Sequence, residues 1–313
     1  MLTRRHIRVK VMQSIYAFIQ SQNSDLKKEE KFLNASMENM YGLYLYLLGL
    51  LKEIQAHSEE QLQLSQKKYL ATNEDRNPNR KFVENRLLKT LSENEALAEK
   101  LKNRGLSWEL EDEYVKILWK AIRESELFKE YMSSGKSDFE EDKRFIHDIY
   151  QEIIAPNDKL FEHLEDKKLT WVDDLPLVNT LILKMIKKWK ANAPEDYFQP
   201  PLYKDEDDMD FARDLFRKTI LNDESIQQEI EGKTPNWDTE RIAEMDSILL
   251  KMAICEFLKF PSIPVKVTIN EYLEIAKEYS TPKSSIFING ILDKLVKEYQ
   301  ANNSLNKVGR GLM

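Results

Sequence analysis

Residues 263–295 read IPVKVTINEYLEIAKEYSTPKSSIFINGILDKL, and this stretch decides the fold. Apolar residues recur every three or four positions on both sides of its Ser-Thr-Pro break, which is the spacing of an α-helix with one buried face. Proline is tolerated at the first position of a helix, because the N–H there has no partner within the helix. The stretch therefore predicts a helix over 265–279. It predicts a second helix, capped by Thr281 with Pro282 at its first position, that ends near residue 299.

The same helical spacing continues outward through the rest of the chain. Only 8 of the 313 residues are glycine, as is typical of an all-α protein. A loop at 191–208 contains three prolines and an acidic run, and it is the best candidate for a domain boundary. The other predicted helices cover residues 4–22, 29–56, 81–103, 110–132, 209–221, 223–231 and 238–259, with a helical hairpin or triplet over 139–190.

The middle of the chain resembles the part that follows it. Residues 145–190 are similar in sequence to residues 211–254. The first part of the two segments aligns without gaps, and its identical pairs include Phe145/Phe211 and Trp171/Trp237. Two amphipathic hairpins can share this much by chance, so duplication and coincidence both stay open. We expect four segments, of which the second is an inserted helical region and the last a mobile tail: 1–56, 57–208, 209–300 and 301–313.

No catalytic or metal-binding constellation stands out in the sequence. The four histidines are scattered, and GxGxxG, GxxxxGK[ST], GxSxG and HExxH are absent. The one cysteine, Cys255, permits no internal disulfide and lies in an apolar run, so we expect a buried thiol in a reducing compartment. The longest apolar run, residues 41–51, is far short of the roughly 20 residues of a membrane span. We therefore expect a cytoplasmic binding protein without cofactor or metal, and not an enzyme.

The first predicted helix differs in charge from the rest of the chain. Residues 3–23 hold three arginines, one lysine and no acid, whereas the whole chain has a net charge of −7, which leaves −11 for the remainder. At about 100° per residue, Arg5, Arg8 and Tyr16 lie on one arc of this helix. Guanidinium groups bind phosphate and a phenol ring can stack on an unpaired base, so this arc predicts a contact with single-stranded RNA. The alternative is a core helix whose arginines face water.

Four motifs carry a resemblance to a known family. They are RRHIRVKVMQSIY at 4–16, ILLKMAICE at 248–256, IPVKVTINEYLEIAK at 263–277 and FINGILD at 287–293. Together they resemble the transcription antitermination factor NusB family, over about residues 1–24 and 209–297. The resemblance implies an all-α fold of NusB-like helical bundles. Residues 57–208 have no counterpart in the short form of the family, and the internal echo makes them a candidate for a degenerate second copy.

The resemblance also implies a function and a set of site residues. It implies binding of boxA-type single-stranded RNA together with the ribosomal protein NusE. With other Nus factors and RNA polymerase, the complex would promote read-through in ribosomal RNA operons. A partner contact would fall near Asp246, and Lys283 stands where the family has an acid. The implied RNA-contacting residues are Arg4, Arg5, Arg8, Tyr16, Lys266, Lys283 and Phe287.

Several alternatives stay open. Phe287 begins an i, i+4 ladder with Ile291, Leu295 and Tyr299, so it is either a core residue or a base-stacking residue. For the whole protein, the net charge of −11 outside the first helix favours a helical adaptor that binds proteins without RNA. Some RNA methyltransferases carry a NusB-like domain, but this chain lacks the Gly-rich cofactor loop and catalytic cysteine that such an enzyme needs.

Overall fold

The computed structural model describes residues 1–21, 25–70, 72–231 and 243–312, except for the side chain of Glu74. Across these ranges the ordered elements are helical and none is a strand, which confirms the all-α prediction. In chain order the α-helices are α1 (Arg4–Ser21), α2 (Leu26–Gln66), α3 (Asn73–Arg76), α4 (Arg86–Ser92), α5 (Glu95–Asn103), α6 (Asp112–Glu124), α7 (Glu126–Ser133), α8 (Phe139–Ile149), α9 (Asp158–Lys167), α10 (Leu175–Lys188), α11 (Glu206–Leu221), α12 (Asp223–Glu231), α13 (Glu244–Lys259), α14 (Val265–Tyr279) and α15 (Ser284–Ala301).

The chain divides into two compact units. Unit 1 consists of Met1–Met37 and Pro201–Met313, and unit 2 of Glu38–Pro200. The sequence placed these divisions after residues 56 and 208. The first division instead falls within α2, because the apolar run at 41–51 belongs to the core of unit 2.

Unit 1 is built around α13. This helix packs against α1, α11, α12, α14 and α15. Its residues Ile248 to Phe257, apart from Lys251, are buried on all sides of the helix, as expected for a helix in the centre of a bundle. Cys255 is among them, in agreement with the prediction, and burial raises the pKa of its thiol to about 11. The acidic residue that α13 carries in this apolar segment, Glu256, is fully buried.

Unit 2 has an aromatic core that encloses the apolar run of α2. Tyr46 stacks on Trp108 with ring centroids 4.1 Å apart, and its hydroxyl lies 3.0 Å from Nε2 of His163. The indole N–H of Trp108 donates to the Tyr46 carbonyl oxygen at 2.9 Å. The run at 41–51 is therefore a buried core segment. Among the residues that the structure describes, no helix is long and apolar enough to cross a membrane.

Two long predicted helices are each interrupted by a capping residue. The helix predicted over 81–103 is split into α4 and α5, because the Asn94 side chain accepts a hydrogen bond from the Leu97 N–H at 2.7 Å. The helix predicted over 110–132 is split into α6 and α7, because Ser125 caps α7 in the same way. Asparagine and serine favour the N-cap over the helix interior, so both breaks follow from local chemistry.

The last predicted helix begins later than expected. The prediction of 265–279 for α14 is confirmed, but α15 begins at Ser284, and Thr281 and Pro282 lie in the turn before it. The Ser284 hydroxyl donates to Asp246 on α13, and the Thr281 N–H donates to the Ser284 hydroxyl oxygen. These bonds stabilise the turn before α15, so that the N-cap is Lys283, two residues after the predicted cap Thr281.

The internal echo stays a prediction. The helices α8, α9 and α10 follow the same order as α11, α12 and α13. However, residues 150–154 form a π-helical turn where the aligned part of α11 is regular. Trp237 and the other aligned positions within 232–242 lie outside the described residues.

Candidate nucleic-acid-binding groove

The apolar stripe of α1 fixes which residues of this helix reach the surface. Ile7, Val11 and Ile15 are at most 2% exposed, as the sequence predicted, and α1 packs on α11, α13 and α14. The arginines at the start of the helix consequently emerge beside the first turn of α14. These helices all belong to unit 1.

A groove of about 590 Å³ lies at the N-terminal end of α1. Its lining contains four arginines and a single carboxylate, Glu271. Asp208 and Glu256, outside the lining, pair with Arg4 and Arg8, so the arginines and these three carboxylates together carry a formal net charge of +1. This local excess of positive charge would draw phosphate even though the whole chain is anionic, because charge that lines a cleft concentrates the field locally. We call it the basic groove, and its lining consists of residues 3–6, Arg8, residues 262–264, Val267, Glu271 and Arg310.

Arg8 lies at the base of the groove in a buried ion pair with Glu256. Its Nε and Nη2 donate to the two carboxylate oxygens at 2.9 and 2.8 Å. The hydroxyls of Thr268 and Tyr272 donate to the same carboxylate at 2.6 and 3.3 Å. Burial alone would lower the pKa of Arg8, but the charge and hydrogen bonds of Glu256 outweigh burial and raise it.

This environment corrects the predicted role of Arg8. The Arg8 side chain is only 2% exposed and its partner carboxylate is not exposed at all. The guanidinium is covered by α13 and α14 of unit 1 and cannot reach an RNA phosphate in this conformation. The sequence predicted the position of Arg8 around the helix axis. It could not show that Glu256, 248 residues further along the chain, neutralises Arg8.

Arg5 is the accessible counterpart of Arg8. Its side chain is 39% exposed, and its Nε and Nη2 donate to Glu271 at 2.8 and 2.9 Å. The hydrogen bonds between these groups lower the pKa of Glu271 and raise that of Arg5, so the pair is ionised. A guanidinium has five N–H donors. Glu271 takes two of them, so Arg5 can donate to a phosphate without leaving its partner.

Arg4 is held in a similar way on the other side of α1. Its Nε donates to Asp208 at 3.0 Å, and its guanidinium carbon lies 5.1 Å from the centre of the Phe211 ring. The side chain is 41% exposed, whereas the Asp208 carboxyl is almost fully covered. The outer nitrogens of Arg4 therefore face solvent from a fixed position.

The first turn of α14 adds positive potential to the groove. Pro264 and Val267 line the groove, and no side chain caps the free N–H groups of this helix end. The N-terminus of a helix attracts anions through its dipole and these N–H groups. Lys266 is exposed in the same turn. A cation at a helix N-terminus does not stabilise the helix, but its charge adds to the positive potential that an anionic ligand would meet.

The remaining predicted RNA contacts do not line the groove. Tyr16 is 40% exposed, and its eleven-residue separation from Arg5 puts it about 20° away around the α1 axis and about 16 Å further along. Lys283 is exposed just before α15, and Phe287 is half-buried in the first turns of that helix. The structure thus brings Arg4, Arg5 and Arg8 together, and the choice between core and base-stacking roles for Phe287 stays open.

Asp246, the predicted partner contact, is buried. Its carboxyl oxygens accept hydrogen bonds from the hydroxyls of Ser280 at 2.6 Å and Ser284 at 2.8 Å, and only 5% of the residue is exposed. The carboxylate ties α13 to the turn between α14 and α15. A partner could touch the surrounding helix surface, but not this carboxylate directly.

We expect Asp246→Ala to lower the free energy of unfolding of unit 1 by about 1–3 kcal/mol, because the buried Ser284 hydroxyl and the half-buried Ser280 hydroxyl both lose their acceptor. Asp246→Asn is the matched control and should lose less, since its amide oxygen can still accept one of the bonds. Urea unfolding, followed by hydrogen exchange in α13 and α15, measures both changes. Unchanged stability in Asp246→Ala together with lost partner binding would return Asp246 to a surface role.

Sequence reasoning missed the acids that hold the arginines. Asp208, Glu256 and Glu271 come from three separate helices, and a sequence does not reveal which helices meet. One signal was available, because Glu256 is an acid within an otherwise apolar segment of α13. A charge at such a position needs a partner, since an unpaired buried charge is too costly to retain.

Comparison with known proteins finds a family match that includes α11 to α14 and most of α15 but not α1. Residues 179–297 match the model described as the NusB family. The chain is 45% identical over 113 residues to a Salinibacter ruber protein named transcription antitermination protein NusB, an alignment that covers 36% of this chain and 71% of that protein. Proteins with the same name from Chloroherpeton thalassium and Koribacter versatilis are 40% and 44% identical over 130 and 91 residues.

The extent of these matches differs between the two units. The alignments cover 42% and 29% of this chain, and 59% and 62% of the Chloroherpeton and Koribacter proteins, so the chain spans about three fifths of the length of these two relatives. Most of unit 2 precedes residue 179, where the family match begins. No solved structure matches the chain.

Proposed function

Because the chain belongs to the NusB family of transcription antitermination proteins, we propose that its basic groove binds the backbone of single-stranded RNA. The RNA is of the boxA type and is bound together with the ribosomal protein NusE. The complex acts with other Nus factors on RNA polymerase, in the cytoplasm, and promotes read-through in ribosomal RNA operons.

The observation that carries this proposal is the charge of the groove. Arg4 and Arg5 are fixed by acids at one edge of the guanidinium and present their remaining donors to solvent. Such a planar fork matches the oxygens of a phosphate. Arg8 does not touch RNA in this proposal; it positions α1 against α13 and α14.

The neighbouring groups provide a path for the strand beyond the groove. Lys266 and the first turn of α14 supply positive charge beside Val267, and Tyr16 supplies an exposed ring further along α1. A stacked base contributes about 1–3 kcal/mol when an aromatic side chain supports it. Phosphates held at the start of α1 and a base stacked on Tyr16 would together orient one strand along this helix.

The test is RNA affinity measured by fluorescence anisotropy on a boxA-type single strand and on a scrambled strand of the same composition, each with and without the NusE-type partner. We expect weak binding alone, and tighter and more selective binding with the partner. Equal, undetectable affinity for both strands in the presence of the partner would contradict the proposal.

The second candidate function is a helical adaptor that binds proteins without RNA. It is favoured by the net charge of −11 outside the first helix. In that case, capture of the partner would survive ribonuclease treatment and no RNA affinity would accompany it. The ribonuclease comparison therefore separates the two functions.

A further inference from the structure

The segment that follows α15 is attached to unit 1 beside the basic groove. The sequence predicted a mobile tail at 301–313, yet the Val308 N–H donates to the Pro261 carbonyl oxygen at 3.1 Å. The Lys307 ammonium donates to the carbonyl oxygens of Glu256 and Phe260 at 3.3 and 3.0 Å, and burial lowers its pKa. These bonds join residues 307–312 to the end of α13 and the turn that leads into α14.

Two glycines in this segment are required by its path. Gly309 has a φ of +53°, a left-handed backbone conformation that residues other than glycine rarely adopt. Gly311 is buried, and a Cβ atom there would collide with the Pro261 carbonyl oxygen. The residue between them, Arg310, is thereby held at a fixed point of the backbone.

Arg310 projects from this fixed point into the groove lining. It is exposed, and within the described part of the chain no acid lies at ion-pairing distance from it. Arg4 and Arg5 each have a carboxylate partner, whereas the charge of Arg310 is not offset by one. Among the groove arginines, Arg310 is therefore the one whose charge is least neutralised by the protein and most available to an anionic ligand.

We propose that residues 307–312 form a strap that completes the RNA site, with Arg310 contacting a backbone phosphate of the strand held by Arg4 and Arg5. This inference rests on the proposed RNA-binding function and adds a residue to it. The ligand is the phosphodiester backbone, because a single guanidinium at the groove edge reads charge and geometry and not base identity.

The experiment uses the full chain and a fluorescein-labelled boxA-type single strand, with affinity measured between 0.05 and 0.3 M potassium chloride, a range of about sixfold in salt. One phosphate contact on a single strand changes the slope of log affinity against log salt by about 0.7, which corresponds to about fivefold in affinity at 0.1 M salt. We expect Arg310→Ala to show both losses. Arg310→Lys should keep the slope, because it keeps the charge.

Two further variants separate the strap from the charge. Gly311→Ala should weaken binding as much as Arg310→Ala, although Arg310 is still present, because the strap can no longer lie against Pro261. Arg123→Ala removes the same charge from an exposed position on α6 outside the groove lining and should leave the affinity unchanged. Circular dichroism verifies that each variant is folded before its affinity is interpreted.

The outcomes distinguish this inference from the proposed function. If Arg310→Ala binds RNA like the unmodified chain while Arg5→Ala binds weakly, the strap contact is wrong and the RNA-binding groove stands. If only Gly311→Ala binds weakly, the strap stabilises the fold and Arg310 makes no contact, which also overturns the inference. If the unmodified chain has no RNA affinity, the proposed function fails first.

Discussion

Replacing Arg8 with alanine is expected to lower the free energy of unfolding of unit 1 by about 3–5 kcal/mol, the range seen when one partner of a buried ion pair is removed. The cause is the carboxylate that remains. Glu256 is fully buried and would keep only the hydroxyl donors of Thr268 and Tyr272. Urea unfolding measures the loss, and hydrogen exchange in α1 and α13 assigns it to unit 1.

A double replacement tests this explanation. Arg8→Met combined with Glu256→Leu removes both charges and keeps similar volumes, so much of the lost stability should return. A double-mutant cycle of the unmodified chain, the two single variants and the double variant gives the coupling energy between the two sites. This energy should be well above the deviation of roughly 0.3–0.5 kcal/mol that independent sites show. A loss of less than about 1 kcal/mol in Arg8→Ala would contradict the account, because such a value is typical of exposed pairs.

The second large effect is expected on RNA binding. Arg4→Ala combined with Arg5→Ala should weaken affinity for a single strand about 25-fold at 0.1 M salt, since each phosphate contact on a single strand contributes about fivefold there. The variant also removes the arginine that donates hydrogen bonds to Asp208 and the one that donates to Glu271, which adds repulsion to the loss. Fluorescence anisotropy at fixed salt measures the change.

The control for this variant is the conservative replacement of both arginines by lysine. Lysine keeps the charge but not the planar fork, so the affinity should fall less than with alanine. The arginine side of both ion pairs is substantially exposed, but the Asp208 carboxyl that Arg4→Ala leaves behind is almost fully covered, so circular dichroism must verify that each variant is folded before its affinity is interpreted. Equal affinity of the alanine variant and the unmodified chain would remove Arg4 and Arg5 from the proposed site.

The elements that the sequence predicted best are those governed by local patterns. The bounds of α14 follow directly from its apolar spacing and the proline before it, and the buried stripe of α1 follows from the same rule. The breaks at Asn94 and Ser125 were missed because amphipathic spacing continues through both caps. The start of α15 was misplaced because Asp246, on another helix, holds the turn before it.

The site was predicted less completely than the fold for a related reason. The basic character of α1 is visible in the sequence, and Arg4 and Arg5 do line a groove, although their contact with RNA stays a prediction. Whether an arginine is accessible depends on acids that other helices supply, and this made the prediction for Arg8 wrong. Arg310 was overlooked because the apolar pattern ends before it, while its segment is held by backbone hydrogen bonds to Pro261 and by Lys307.

Family membership bears on the kind of activity. The relatives that the chain matches are named transcription antitermination proteins, which is the name of a factor and not of an enzyme, in agreement with the prediction that this chain is not an enzyme. Among the residues that the structure describes, no group of three or more potential metal-ligating side chains converges. The proposed chemistry is recognition of an RNA strand, for which the basic groove supplies exposed arginines.

The central claim is that this groove binds RNA through its phosphates, and the salt dependence of binding by the unmodified chain tests it most directly. Contacts from Arg4 and Arg5 alone predict a slope of log affinity against log salt of about −1.4 on a boxA-type single strand, and Arg310 would bring it to about −2. A slope near zero, at any affinity, would mean that no phosphate is neutralised and would contradict the account.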